Sequence, residues 1–156
     1  MADLTVPKRR VAVAATLAGG LRRQVTLFLA EAAPGHAGGE RLSDLLNGGS
    51  DFIPALETET QAMTFLNRAA VMIAEVDADA ERTGADELSI PTEHAIELTL
   101  DDGRALRGLV TYLLPPDRAR LADFLNDGTL FLPLHVDSRV LLVHKRHITR
   151  VALVDG

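Results

Sequence analysis

The chain contains no cysteine and no tryptophan. Without cysteine there is no disulfide, no thiolate metal site and no thiol nucleophile, which suits a reducing compartment; a cytoplasmic protein is expected. One tyrosine and five phenylalanines make the chain only 4% aromatic, so any core is aliphatic, and the 47% of hydrophobic residues is enough to build one. There is no excess of positive charge. The net charge is −6 over 156 residues, which weighs against broad binding to nucleic acid or to an anionic membrane surface. No apolar run approaches the roughly 20 residues a membrane helix needs. Lys8-Arg9-Arg10 followed by Val11-Ala12-Val13-Ala14-Ala15 has the outline of a targeting segment, but Arg22-Arg23 cut the run short and it reads as a strand. Nucleophile-elbow, phosphate-loop, zinc and calcium-loop patterns are absent from the sequence. The expectation is a non-enzymatic protein with no catalytic residue, no metal and no cofactor.

What the sequence does contain is a repeat. Arg41-Leu42-Ser43-Asp44-Leu45-Leu46-Asn47, followed by Phe52-Ile53-Pro54, returns as Arg120-Leu121-Ala122-Asp123-Phe124-Leu125-Asn126, followed by Phe131-Leu132-Pro133. The spacing is unbroken from arginine to proline, and Gly49 matches Gly128 as well. That agreement reads as an internal duplication.

Local patterning gives each copy the order β-β-α-β-β(β). Val11, Val13, Ala15 and Leu17 alternate toward a turn at Gly19-Gly20, and residues 21–30 return as a strand. In the second copy Ile96, Leu98 and Leu100 alternate toward Asp102-Gly103, a hairpin signal because glycine accepts positive φ. Leu42, Leu45 and Leu46, like Leu121, Phe124 and Leu125, fall on one face of a short helix. Asp117 reads as the second helix's N-cap, and Asn47 with Gly48-Gly49 as a left-handed stop to the first. Pro54 suggests an edge strand or a strand start. Residues 62–76 read as a strand pair bent near Asn67-Arg68, and Arg139 to Val154 is long enough for two strands.

The predicted class is mainly β with short helices. Two tandem small domains of curved-sheet or barrel type are expected, at 9–76 and 92–154, joined by a solvated acidic linker at 77–91.

Two groups of polar residues stand out. Arg41, Asp44 and Asn47, with Arg120, Asp123 and Asn126, belong to the repeated motif. Their expected role is structural: a carboxylate near a helix N-terminus meets free amides and a favourable dipole. The run His144, Lys145, Arg146, His147 and Arg150 is the nucleic-acid-binding candidate, since cations and imidazoles can hold phosphate and stack on bases. The competing explanation is a solvated strand edge whose charges discourage aggregation. On a strand, His144 and His147 point to opposite faces and make no metal pair.

The second copy carries a resemblance. Ile96-Glu97-Leu98-Thr99-Leu100-Asp101-Asp102-Gly103-Arg104-Ala105-Leu106-Arg107-Gly108-Leu109-Val110-Thr111-Tyr112 resembles the first signature of the Sm-like fold: an alternating strand, Asp-Gly, then a strand with an internal glycine. Val143-His144-Lys145-Arg146-His147-Ile148-Thr149 resembles the second signature as it occurs in bacterial Hfq. The resemblance implies a small β-barrel and RNA as partner. The helix departs from it, since Sm-like proteins place theirs before the first strand. The Arg-Leu-Ser-Asp-Leu-Leu-Asn pattern also resembles small bacterial domains of unassigned function.

Three functional expectations result. The first is an assembly or binding module that self-associates or takes a protein partner, two related units pairing through equivalent surfaces and further chains extending the arrangement. The second is an Sm-like RNA-binding protein using the strand 144–150, and the third a small-molecule sensor binding inside one barrel. No membrane partner is expected.

Overall fold

A computed structural model describes residues 8–31, 39–81, 92–112 and 120–154. The first copy contributes β1 (Lys8–Leu17), β2 (Arg22–Ala30), α1 (Leu42–Leu46), β3 (Phe52–Glu57), β4 (Met63–Asn67) and β5 (Val71–Asp77). The second contributes β6 (Thr92–Leu100), β7 (Ala105–Tyr112), α2 (Leu121–Leu125), β8 (Phe131–Val136), β9 (Arg139–His144) and β10 (Ile148–Leu153). The mainly-β class with short helices therefore holds.

The ten strands form one antiparallel sheet in the order β10-β6-β7-β8-β9-β5-β1-β2-β3-β4. Each copy has the same internal order, with its last strand beside its first. The duplication reaches backbone detail. A bulge displaces the register between Thr16 and Leu17 in β1–β5, and the same irregularity falls between Ile148 and Arg150 in β10–β6. Gly20 and Gly103, matched turn residues, both take positive φ (87° and 91°), which glycine does without a Cβ clash.

Of the two expected forms, curved sheet or barrel, the barrel is not found: the sheet does not close. β9 pairs with β5, carrying the sheet from one copy into the other, and β4 and β10 are left as its two ends. Pairing continues from copy to copy instead of returning within each.

Pro54 stands neither on an edge strand nor at the first residue of its strand. β3 is not an edge; it pairs with both β2 and β4. Glu57 N–H donates to Ala62 O, and Arg68 N–H to Asp51 O. Antiparallel alternation then turns Ile53, Ala55 and Glu57 toward β4, and Pro54 and Leu56 toward β2. Pro54 has no N–H to offer there, and the β2–β3 ladder stops at Ala55. In the second copy β7 and β8 pair only at Leu109–His135, just short of Pro133. The β2–β3 ladder thus stops beside Pro54, and the β7–β8 pairing lies two residues from Pro133.

The strand pair bent near Asn67-Arg68 is present as β4, a 3-10 turn at Arg68–Ala70, and β5. The expected N-cap Asp117 lies outside the described residues, and the residue at the N-cap of α2 is Arg120. Asn47 ends α1 at φ −86°, not in the left-handed region. Of the expected linker, residues 82–91 lie outside the described residues. Its start is not simply solvated: Ala78–Glu81 form a 3-10 turn, and the half-buried Glu81 carboxylate accepts a hydrogen bond from Ser43 N–H on α1 at 3.1 Å.

Two aliphatic cores result. One gathers Val13, Val25, Leu42, Leu46, Ile53, Val71 and Val76 of the first copy, together with Phe131, Val140 and Leu142 of the second. The other gathers Ile96, Leu98, Val110, Leu132, Leu134, Leu141 and Val143, with Met72 and Ile73 from β5.

Candidate functional site

The chemistry-bearing residues concentrate at the joint between the copies. There β5 and β9 align Ile73 with Val143, Ala74 with Leu142 and Val76 with Val140. Alternate residues on antiparallel strands face the same side. Phe131, Val140 and Leu142 thus enter the first copy's core from the second, and all three are buried.

Asn47 fastens this joint. Its side-chain carbonyl accepts hydrogen bonds from the N–H groups of Leu130 (2.8 Å) and Phe131 (2.9 Å), tying α1 to the start of β8. A helix stop was the expected role of Asn47, and the repeat itself carries no sign of a bond between copies. Its counterpart Asn126 instead donates from Nδ2 to Ala122 O within its own helix (2.8 Å). The Asp44 carboxylate accepts from Arg41 N–H at 2.9 Å and ion-pairs with the Arg41 guanidinium at 3.3 Å. Arg120 stands at the matching N-cap, with Asp123 in the first turn of α2.

The basic run does not form a continuous strand. His144 ends β9, Lys145–His147 make a 3-10 turn, and Arg150 lies in β10. His144 is buried, stacks on Phe131 with ring centroids 4.5 Å apart, and contacts Val71 O through Nδ1 at 3.1 Å. Burial pushes its pKa below the usual histidine value, so the neutral ring is favoured and Nδ1–H is the donor to Val71. Lys145 pairs with Asp127 at 2.7 Å, and His147 Nδ1 lies 2.8 Å from Asp101. Arg146 and Arg150 are exposed. The run therefore divides into one joint residue, two members of local acid–base pairs and two exposed arginines.

A cleft of about 550 Å³ is lined by residues of α1, α2, β7 and β8, Pro133 among them. Glu81 and His135 face it. Burial raises the pKa of Glu81, against the opposing hydrogen bond from Ser43. Burial lowers the pKa of His135, against the field of Glu93. Both groups are thereby biased toward their neutral forms. No group of three or more His, Asp or Glu side chains among the described residues could hold a metal ion. No helix among them is long and apolar enough to cross a membrane.

The outer strands carry the remaining conspicuous feature. Phe52 (59%), Met63 (52%) and Phe65 (63%) are exposed at the β3–β4 end of the sheet, and Leu153 (61%) at the β10 end. Among the described residues, large apolar side chains are thus exposed at both ends of the sheet. Comparison of the chain with protein families, curated proteins and solved structures returned no match.

Proposed function

We propose that this chain is a non-enzymatic assembly module whose sheet is extended by further protein through its unpaired ends. One observation carries the reading. The two copies are already joined by continuing the sheet from β5 to β9, and the ends of the sheet expose the large apolar side chains Met63, Phe65 and Leu153. The test is sedimentation equilibrium from about 1 to 200 µM, a span that covers ordinary weak and moderate association. The expected result is a mass that climbs in multiples of the 16.8 kDa chain. A single 16.8 kDa species across the range, with no protein partner bound, would refute the reading.

The second reading is the Sm-like one, with RNA as partner. It is favoured by the exposed Arg146 and Arg150 on and beside the end strand β10. Labelled oligo-U and oligo-A titrated at low and moderate salt test it by fluorescence anisotropy. Salt-sensitive binding that Arg146→Glu weakens would support it; no binding at low salt would retire it.

A further inference from the structure

We propose that copies of this chain join head to tail: the β3–β4 end of one enters the α2–β10 end of the next, reproducing between chains the joint that β5 and β9 make within one. The proposal rests on the assembly reading above and names its partner, a second copy, and its register.

The repeat supplies the correspondence. Phe131, Val140 and Leu142 complete the first copy's core; with the ends of β4 and β9 matched at Asn67 and His144, the β3–β4 turn being two residues longer than the β8–β9 turn, their counterparts in the first copy are Phe52, Met63 and Phe65. The donor side chains at the joint are 0–1% exposed, whereas their counterparts are the three exposed residues of the β3–β4 end. The receiving side shows the same imbalance. Leu42, Leu46 and Val76, which receive the donors, are buried; their counterparts Leu121 and Leu125 are only partly buried, and Leu153 is exposed. One end of the chain thus holds three unplaced inserts and the other an unfilled seat of the kind that takes them.

The backbones are in phase for this pairing. The bonds Glu57 N–H to Ala62 O and Arg68 N–H to Asp51 O turn Ala62, Thr64 and Leu66 inward to β3. Met63 and Phe65 are left with their N–H and C=O groups pointing off the sheet. On the other end, Val154 N–H donates to Ala95 O. This turns Ala152 inward to β6 and leaves Val151 and Leu153 pointing outward. The internal register pairs Ala74 with Leu142 and Val76 with Val140. Carried through the repeat, it pairs Val151 with Phe65 and Leu153 with Met63, the residues whose N–H and C=O groups point off the sheet. Asn126 stands where Asn47 stands, and the amides of Asp51 and Phe52 where those of Leu130 and Phe131 stand.

Charge identifies the partner further. At the internal joint Glu75 pairs with Arg139 at 3.5 Å; the counterparts at the free ends are Ala152 and Ala62. The intermolecular joint is therefore apolar there, and its affinity responds weakly to salt. A heterologous contact of this kind gives a closed ring or an open filament according to the rotation per chain.

Two edge-blocking variants test the proposal, Phe65→Pro and Leu153→Pro. Each removes one outward N–H and spares the internal ladder. Each variant alone has one sound end but no matching end to meet, so it stays at 16.8 kDa while the wild-type chain assembles further. An equimolar mixture forms one species of twice that mass, read by light scattering, because one sound β4 then meets one sound β10. Where circular dichroism shows a proline variant unfolded, Phe65→Lys and Leu153→Lys take its place. Wild-type assembly that persists in either variant alone, or a mixture that stays monomeric, overturns the head-to-tail joint and leaves self-association by another surface. A monomeric wild-type chain overturns both readings.

Discussion

Replacing Phe131 with alanine should cost far more stability than replacing Phe52, although the two occupy the same place in the repeat. Phe131 is fully buried among side chains of the first copy and stacked on His144. Truncating a buried phenylalanine removes its transfer energy and leaves a cavity, about 3–5 kcal/mol in well-packed cores. For a chain near 150 residues, each kcal/mol shifts the melting temperature by about 2–4 °C, so Phe131→Ala should melt about 6–20 °C lower. Phe52 is 59% exposed, and its truncation should stay within about 0.5 kcal/mol in the single chain. The assay is thermal unfolding by circular dichroism at low micromolar concentration, where neighbouring chains contribute least. Equal losses from the two substitutions would refute the argument, because they would mean that the joint between copies contributes no core. The same pair should reverse in association: Phe52→Ala weakens assembly.

Four further outcomes follow from the geometry. Asn47→Ala strands two backbone N–H groups at the joint and should cost about 1–3 kcal/mol in urea unfolding, against under about 0.5 kcal/mol for Asn126→Ala in the single chain. His144 has a folded pKa below its unfolded one, so the fold binds fewer protons than the unfolded chain; its contribution is present above pH 6.5 and lost as the pH falls through the folded value. His144→Asn, which installs the residue found at Asn67, should flatten that acid-side loss. Glu81 acts with the opposite sign, because its raised folded pKa gives a contribution that is lost as the pH rises, and Glu81→Gln isolates it. Gly108→Ala would place a Cβ 2.6 Å from His135 O at the single point where β7 and β8 pair, and should cost about 1–3 kcal/mol in thermal unfolding.

Much of the fold was legible in the sequence because its signals are local. Asp102-Gly103 and Gly19-Gly20 announce their hairpins, Leu42, Leu45 and Leu46 a helical face, and Asn67-Arg68 the bend before β5. What joins the copies was not legible. The pairing of β5 with β9 is set by contacts about 70 residues apart in the chain, and no local pattern encodes such a register. Phe52 and Phe131 carry the same signal, yet one is exposed and the other buried, since burial depends on whether a neighbour is present. Pro54 suggested an edge because proline lacks an N–H, and that chemistry was correctly read; the structure uses it to end a ladder inside the sheet. The basic run looked like one strand because the 3-10 turn at Lys145–His147 has no glycine or proline to mark it. Of the repeated motif, Asp44 was read for its cap, while Asn47 gave no sign that its acceptor reaches the other copy.

Amide hydrogen exchange, read residue by residue across a dilution series, tests most directly whether the free ends repeat the internal joint. The account predicts that Phe65, Met63, Val151 and Leu153 become protected together as concentration rises, approaching the protection of Val140 and Leu142, and exchange rapidly when the chain is dilute. Rapid exchange of these four amides at every concentration, or protection that appears on β4 without β10, would contradict it.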